Sequence, residues 1–133
     1  MNYEHIIQYF IEEVFNRGNI SVIHEAVSPN YKYTSPTERM NGPQELAAFV
    51  AAFRSAFPDL KISILEQLST GESVTTRIRF TGSHHGDFLG MPPTHKSVDV
   101  EGCVISKFQD GLIVEEWEIL DQLTLLQQLG ATA

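Results

Sequence analysis

Two side chains in this chain of 133 residues are spaced to move protons, His84 and Asp121. Asp121 ends the run IVEEWEILD, four residues after Trp117. A carboxyl held among apolar side chains resists ionisation, so its pKa climbs toward neutrality, where it can act as a general acid or base. An imidazole titrates there already and can hydrogen-bond a substrate oxygen. A carboxylate with a donor beside it is the minimum for taking a proton from the carbon next to a carbonyl. The competing reading of Asp121 is local. It precedes a helical run, Gln122 to Leu129, where Asp is a favoured N-cap, with Leu120 and Leu125 spaced as a hydrophobic staple. A capping carboxylate is held ionised by backbone N–H groups, which weakens it as a base.

The elements that must position these residues follow from hydrophobic periodicity. Ile6, Ile7, Phe10, Ile11, Val14 and Phe15 keep helical spacing, with Gly18 at the C-cap. A short helix over about 20–27 is stopped by Pro29, and YKYTSP (31–36) reads as an edge strand. A third helix starts at Asn41 or Gly42, has Pro43 in its first turn, buries Leu46, Phe49, Val50, Phe53 and Phe57, and ends at Pro58. Strands follow over about 60–69, 73–83, 96–108 and 112–120, with Thr70-Gly71 and Asp110-Gly111 as turns. GDFLGMPPTHK (86–96) is an ordered loop between strands. Helices first and a long antiparallel sheet second predict an α+β fold in one domain, 1–133, with the helices packed on one sheet face.

Strand parity then decides which side chains share the covered face. With Asp110-Gly111 as a two-residue turn, Val104 opposes Trp117 and Val100 opposes Asp121. Val98, Val100, Val104, Phe108, Ile113, Trp117, Ile119 and Asp121 fall on the more apolar face. On the preceding strand Val74, Thr76, Ile78, Phe80, Gly82 and His84 keep that phase. A bulge in either strand would invert the phase beyond it. Ile105, Val114 and Leu120 fall on the outer face, which suits a partner sheet or a second subunit.

Other chemistries fit poorly. His84 and His85 are strand neighbours pointing to opposite faces, and no metal-ligand spacing joins them to His95, so no metal site is expected. Cys103 is the only cysteine, lies on the outer face and has no activator, which argues against a catalytic thiolate and excludes a disulfide within the chain. No phosphate loop, dinucleotide fingerprint or nucleophile elbow is present. The 17 acidic residues outnumber the 9 basic ones without a basic cluster, which argues against a nucleic-acid surface. The apolar run LAAFVAAF is too short to span a bilayer, and the start MNYEHIIQYF lacks a signal-peptide pattern, so a soluble cytoplasmic protein is expected.

FRSAFPDLKISI (53–64), TGSHHGDFLGMPPTHK (81–96), FQDGLIVEEWEILD (108–121) and LLQQLG (125–130) together resemble SnoaL-like polyketide cyclases, or ester cyclases, of the nuclear-transport-factor-2-like superfamily. NRGNISVIHEAVSPNY (16–31) matches the same family's start, so the resemblance covers nearly the whole chain. It implies a cone-shaped curved sheet packed with helices around a pocket, with dimers formed through the outer sheet face. It also implies Asp121 as acid/base of an intramolecular aldol ring closure, with His84 as its polar partner. Trp117, Phe10, Phe53, Tyr33 and Val100 would contact a hydrophobic carbonyl ligand, and no organic or metal cofactor is implied. This chain departs from the pattern at three places. The strand 98–108 has no histidine, Tyr33-Thr34-Ser35-Pro36 replaces Asp-His-Ser-Pro, and Pro93-Thr94-His95-Lys96 replaces Pro-Thr-Gly-Lys. A ketone isomerase using the same base, a binding module without chemistry, and an accessory dimer without ligand are the alternatives.

Overall fold

Local chemistry starts and stops each helix in the computed structural model, which describes residues 2–131. Asn2 caps α1 (Tyr3–Phe10), its Oδ1 accepting the His5 N–H at 3.0 Å. The helix then widens into a π-helical segment, Ile11–Asn16, where Arg54 donates to the Phe15 and Asn16 carbonyls at 2.6 and 3.0 Å. A cationic donor thereby satisfies carbonyls that the helix end leaves free. Helix α2 is Ser21–Ala26 and α3 is Gly42–Ala56, with Pro43 in the first turn of α3. Helix α4 (Gln122–Leu129) ends at Gly130, whose φ of 77° is the left-handed cap conformation that glycine adopts without strain.

Six strands form one open, curved sheet: β1 (Val27–Thr34), β2 (Arg39–Asn41), β3 (Lys61–Thr70), β4 (Ser73–Ser83), β5 (Ser97–Gln109) and β6 (Leu112–Leu120). Their spatial order is β2-β1-β6-β5-β4-β3, antiparallel except where β1 runs parallel to β6. The YKY segment is therefore an interior strand, a correction to the edge expected for it. Strand β2, three residues long, takes the edge. The β3–β4 turn also lies one residue later than expected, at Gly71-Glu72, because Thr70 still pairs with Ser73. Asp110 and Gly111 both have positive φ, 53° and 79°, as a two-residue hairpin turn requires. No described helix is long and apolar enough to cross a membrane.

The helices cover one sheet face and bury two apolar clusters. One joins Ile7, Phe10, Val14, Ile23, Tyr31, Leu46 and Val50, while the other joins Phe57, Leu60, Phe80, Val98, Val100, Leu125 and Leu129. Phe53 bridges toward the second, its ring 5.0 Å from Phe80 and 5.5 Å from Phe57. The sheet, the helices and these clusters leave a hollow between them.

Candidate functional site

One extra residue in β6 decides which side chains reach that hollow. Phe108 pairs with Ile113, but Lys107 pairs with Glu115, so Val114 is a bulge. Beyond it the alternation is inverted relative to a regular hairpin, and Ser106 opposes Glu116 while Val104 opposes Glu118. Glu116, Glu118 and Leu120 therefore face inward, whereas Trp117 and Ile119 face outward with 43% and 46% of their surface exposed. This corrects the parity expectation, which rested on an unbroken hairpin and put Trp117 and Asp121 on the covered face.

The hollow is a cavity of about 1160 Å³, its open mouth included. Aromatic and aliphatic side chains dominate its wall, among them Phe10, Phe49, Phe53, Phe80, Phe88 and Leu125, as a small-molecule site requires. On β6 its polar wall is the carboxyl pair Glu116 and Glu118. Tyr31 Oη donates to Glu116 at 2.8 Å, and Tyr33 Oη donates to Glu118. β1 and β6 run parallel with Tyr33 level with Glu116, so each tyrosine of Tyr-x-Tyr reaches diagonally along β6 to its glutamate of Glu-x-Glu. Ser106 Oγ gives Glu116 a second donor at 2.6 Å.

Burial governs the protonation of these groups. It pushes the half-buried Glu118 carboxyl up to about 7, with the Tyr33 hydrogen bond opposing and the nearby Glu116 charge adding to the rise. Burial also raises Glu116, against the hydrogen bonds from Ser106 and Tyr31. Both phenols are raised far above their ordinary range, first by burial and then by the carboxylates they face, so they stay protonated donors. A carboxyl near 7 on an apolar cavity can take a proton and return it at neutral pH.

The sequence-predicted residues divide in two. Phe10, Phe53 and Tyr33 line the cavity. Val100 is buried at 3% exposure in the second apolar cluster and is not part of the cavity wall. Asp121 is exposed and caps α4, accepting from the Thr124 N–H at 3.1 Å and the Thr124 hydroxyl at 2.7 Å. Those two bonds, the hydroxyl's first, hold its carboxyl below the ordinary range. His84 is fully buried beside Phe57 and Phe88, outside the cavity wall. Its Nδ1 accepts the Thr94 N–H at 3.1 Å, which leaves Nε2 carrying the proton, without a partner among the described residues. The contact closes the neck of the loop after β4, where His84 N–H also meets the Lys96 carbonyl at 2.9 Å. No hydrogen bond joins His84 to Asp121 among the described residues. Nor do these residues bring together three side chains able to hold a metal.

Glu116 and Glu118 went unrecognised in the sequence because the parity of an unbroken hairpin put them on the outer face. The available signal was the matching spacing of Tyr31-x-Tyr33 and Glu116-x-Glu118, which gains meaning only once β1 is known to lie beside β6.

A family model of SnoaL-like polyketide cyclases matches residues 5–129. The chain belongs to the SnoaL-like polyketide cyclase family. A curated relative of this SnoaL-like chain, aklanonic acid methyl ester cyclase DnrD of Streptomyces peucetius, is 26% identical over 122 residues, covering 89% of the chain and 84% of the relative. Solved structures are similar over almost the full length. TsrD from Streptomyces laurentii matches with a TM-score of 0.89 at 25% identity, covering 98% of this chain and 96% of TsrD. IdmH from Streptomyces antibioticus matches with a TM-score of 0.82 at 28% identity, covering 98% of this chain and 99% of IdmH.

Proposed function

We propose that this SnoaL-like chain closes a ring in a hydrophobic, polyketide-like carbonyl compound by intramolecular aldol chemistry, without a cofactor, and that Glu118 is its acid/base group. The observation that carries this reading is the Glu118 carboxyl, raised to about 7 on the wall of an apolar cavity and held by Tyr33. Ionised Glu118 removes a proton from the carbon beside a carbonyl. The resulting carbanion attacks a second carbonyl carbon of the same molecule, forming the carbon–carbon bond, and the new alkoxide takes the proton back from Glu118. Phe10, Phe49 and Phe53 hold the apolar body of the substrate and exclude water. Asp121, expected as the base, acts in this reading as the cap of α4.

Aklanonic acid methyl ester, named in the relative's activity, is the first compound to try. Ring closure conserves mass, so product is read as a chromatographic and absorbance change at constant mass. Glu118→Gln should lower turnover at least ~100-fold while keeping the fold, and Asp121→Asn should leave turnover within a few-fold. Loss of turnover in Asp121→Asn with full activity in Glu118→Gln would return the base to Asp121. Saturable binding without product would favour the binding module, and a shifted double bond in the product the ketone isomerase.

A further inference from the structure

Behind Glu118 lies a second carboxyl that the proposed chemistry leaves idle. Glu116 is buried, at 8% exposure, and both its oxygens accept hydroxyl hydrogen bonds, at 2.8 Å from Tyr31 and 2.6 Å from Ser106. It lies two residues from Glu118 on the same face of β6, and among the described residues the cavity wall contains no lysine, arginine or histidine. The two carboxyls are successive inward side chains of β6, and each is tied to its own tyrosine on β1. Apart from Glu38, the other facing groups add no charge of either sign. Thr76, Val104 and Ser106 come from β4 and β5, Ile7 and Phe10 from α1, and Leu46, Phe49 and Phe53 from α3. Among the described residues Glu38, between β1 and β2, is the one other titratable residue of the wall besides the two tyrosines.

We propose that Glu116 is a positioning residue for Glu118: the two carboxyls titrate as a coupled pair that shares one proton across neutral pH. Two like charges this close in an apolar wall resist simultaneous ionisation, so the second proton leaves only when the pH is high enough to overcome the first charge. Tyr31 and Ser106 fix the orientation of Glu116, and with it the field felt at Glu118. The chemical consequence, one site that offers a base and recovers an acid in the same cycle, rests on the assignment of Glu118 made above. The coupling itself does not, because it can be measured without turnover.

Carbon-13 NMR of the glutamate side-chain carboxyls, followed against pH in the wild-type chain, Glu116→Gln and Glu118→Gln, tests it. Glutamine can donate from its amide to the Tyr31 or Ser106 oxygen, so Glu116→Gln keeps the buried hydrogen bonds. The Glu118 midpoint should fall by about one pH unit in Glu116→Gln, and removing Glu118 should lower the Glu116 midpoint reciprocally. An unchanged Glu118 midpoint overturns the coupling. If Glu116→Gln does not fold, Tyr31→Phe serves instead. Loss of its hydrogen bond should raise the Glu116 midpoint and displace that of Glu118, and a Glu118 curve that stays put overturns the proposal equally. A Glu118→Gln variant that turns over normally would sink the catalytic reading alone, since the coupling is read from the wild-type and Glu116→Gln curves.

Discussion

Glu118 and Asp121 lie three residues apart and sit in opposite electrostatic situations. Asp121 faces solvent and accepts two hydrogen bonds from Thr124, which favour its ionised form, so it is a poor base near neutral pH. Glu118 is desolvated, and the hydrogen bond from Tyr33 only partly offsets that cost. Removing the donor has a defined sign. In Tyr33→Phe the charged carboxylate loses its hydrogen bond, so the Glu118 midpoint should move up from about 7, and the acidic limb of any pH–rate profile, where the base becomes protonated, should move up with it. A profile that stays in place would mean that Tyr33 does not act on Glu118. The same desolvation logic was legible in the sequence for a carboxyl on the apolar face. Parity attached it to the wrong residue.

At the scale of elements, the β5–β6 hairpin fixes the site. The turn at Asp110-Gly111, the strand limits and the inward set of β5 all follow from alternation and turn chemistry. The bulge at Val114 does not, because an extra residue in a strand leaves no compositional mark when its neighbours are Ile and Glu. Further along the hairpin, Gly102 lets the two strands approach. A Cβ there would lie 2.8 Å from the Ile119 carbonyl oxygen and 3.2 Å from the Leu120 Cα, both backbone atoms that cannot swing aside. Gly102→Ala should therefore push β6 away from β5 beside Glu118 and destabilise the fold by roughly 1–3 kcal/mol. Thermal unfolding checks this, and an unchanged midpoint would show that the strands separate without cost. Near the hairpin's open end Asp121 N–H bonds the Glu101 carbonyl at 3.0 Å, which holds the start of α4 against β5.

For the whole molecule, the raised carboxyls couple stability to pH. An ordinary glutamate titrates near 4.5 and Glu118 in the fold near 7, so the folded state binds the proton more tightly than the unfolded chain does. Below about 4.5 both states are protonated and Glu118 costs nothing. As pH rises from there through 7 the folded state must ionise a desolvated group, and stability falls. Glu118→Gln should thus be more stable than wild type at pH 8, by roughly 1–3 kcal/mol, and nearly equal at about pH 4. Equal unfolding free energies at pH 8 would contradict the burial-driven shift. On the other side of the sheet, Trp117 and Ile119 are exposed next to the half-buried Ile105 and Cys103. We propose this outer face as the subunit interface of a homodimer, which Trp117→Glu should disrupt. Light scattering would show a dimer for wild type and a monomer for the variant, and a wild-type monomer would end the proposal.

Periodicity, turn residues and proline stops determined the element order, because each is written in residues adjacent along the chain. The family motifs pointed to the enclosing fold, in which Phe10, Phe53 and Tyr33 line the cavity. Tertiary structure decided the rest. The parallel contact between β1 and β6 joins residues 85 positions apart, Tyr31 to Glu116 and Tyr33 to Glu118, which no local pattern encodes. A one-residue bulge turned Trp117 outward and the two glutamates inward, since a strand's side chains alternate with period two and a single insertion inverts all that follow.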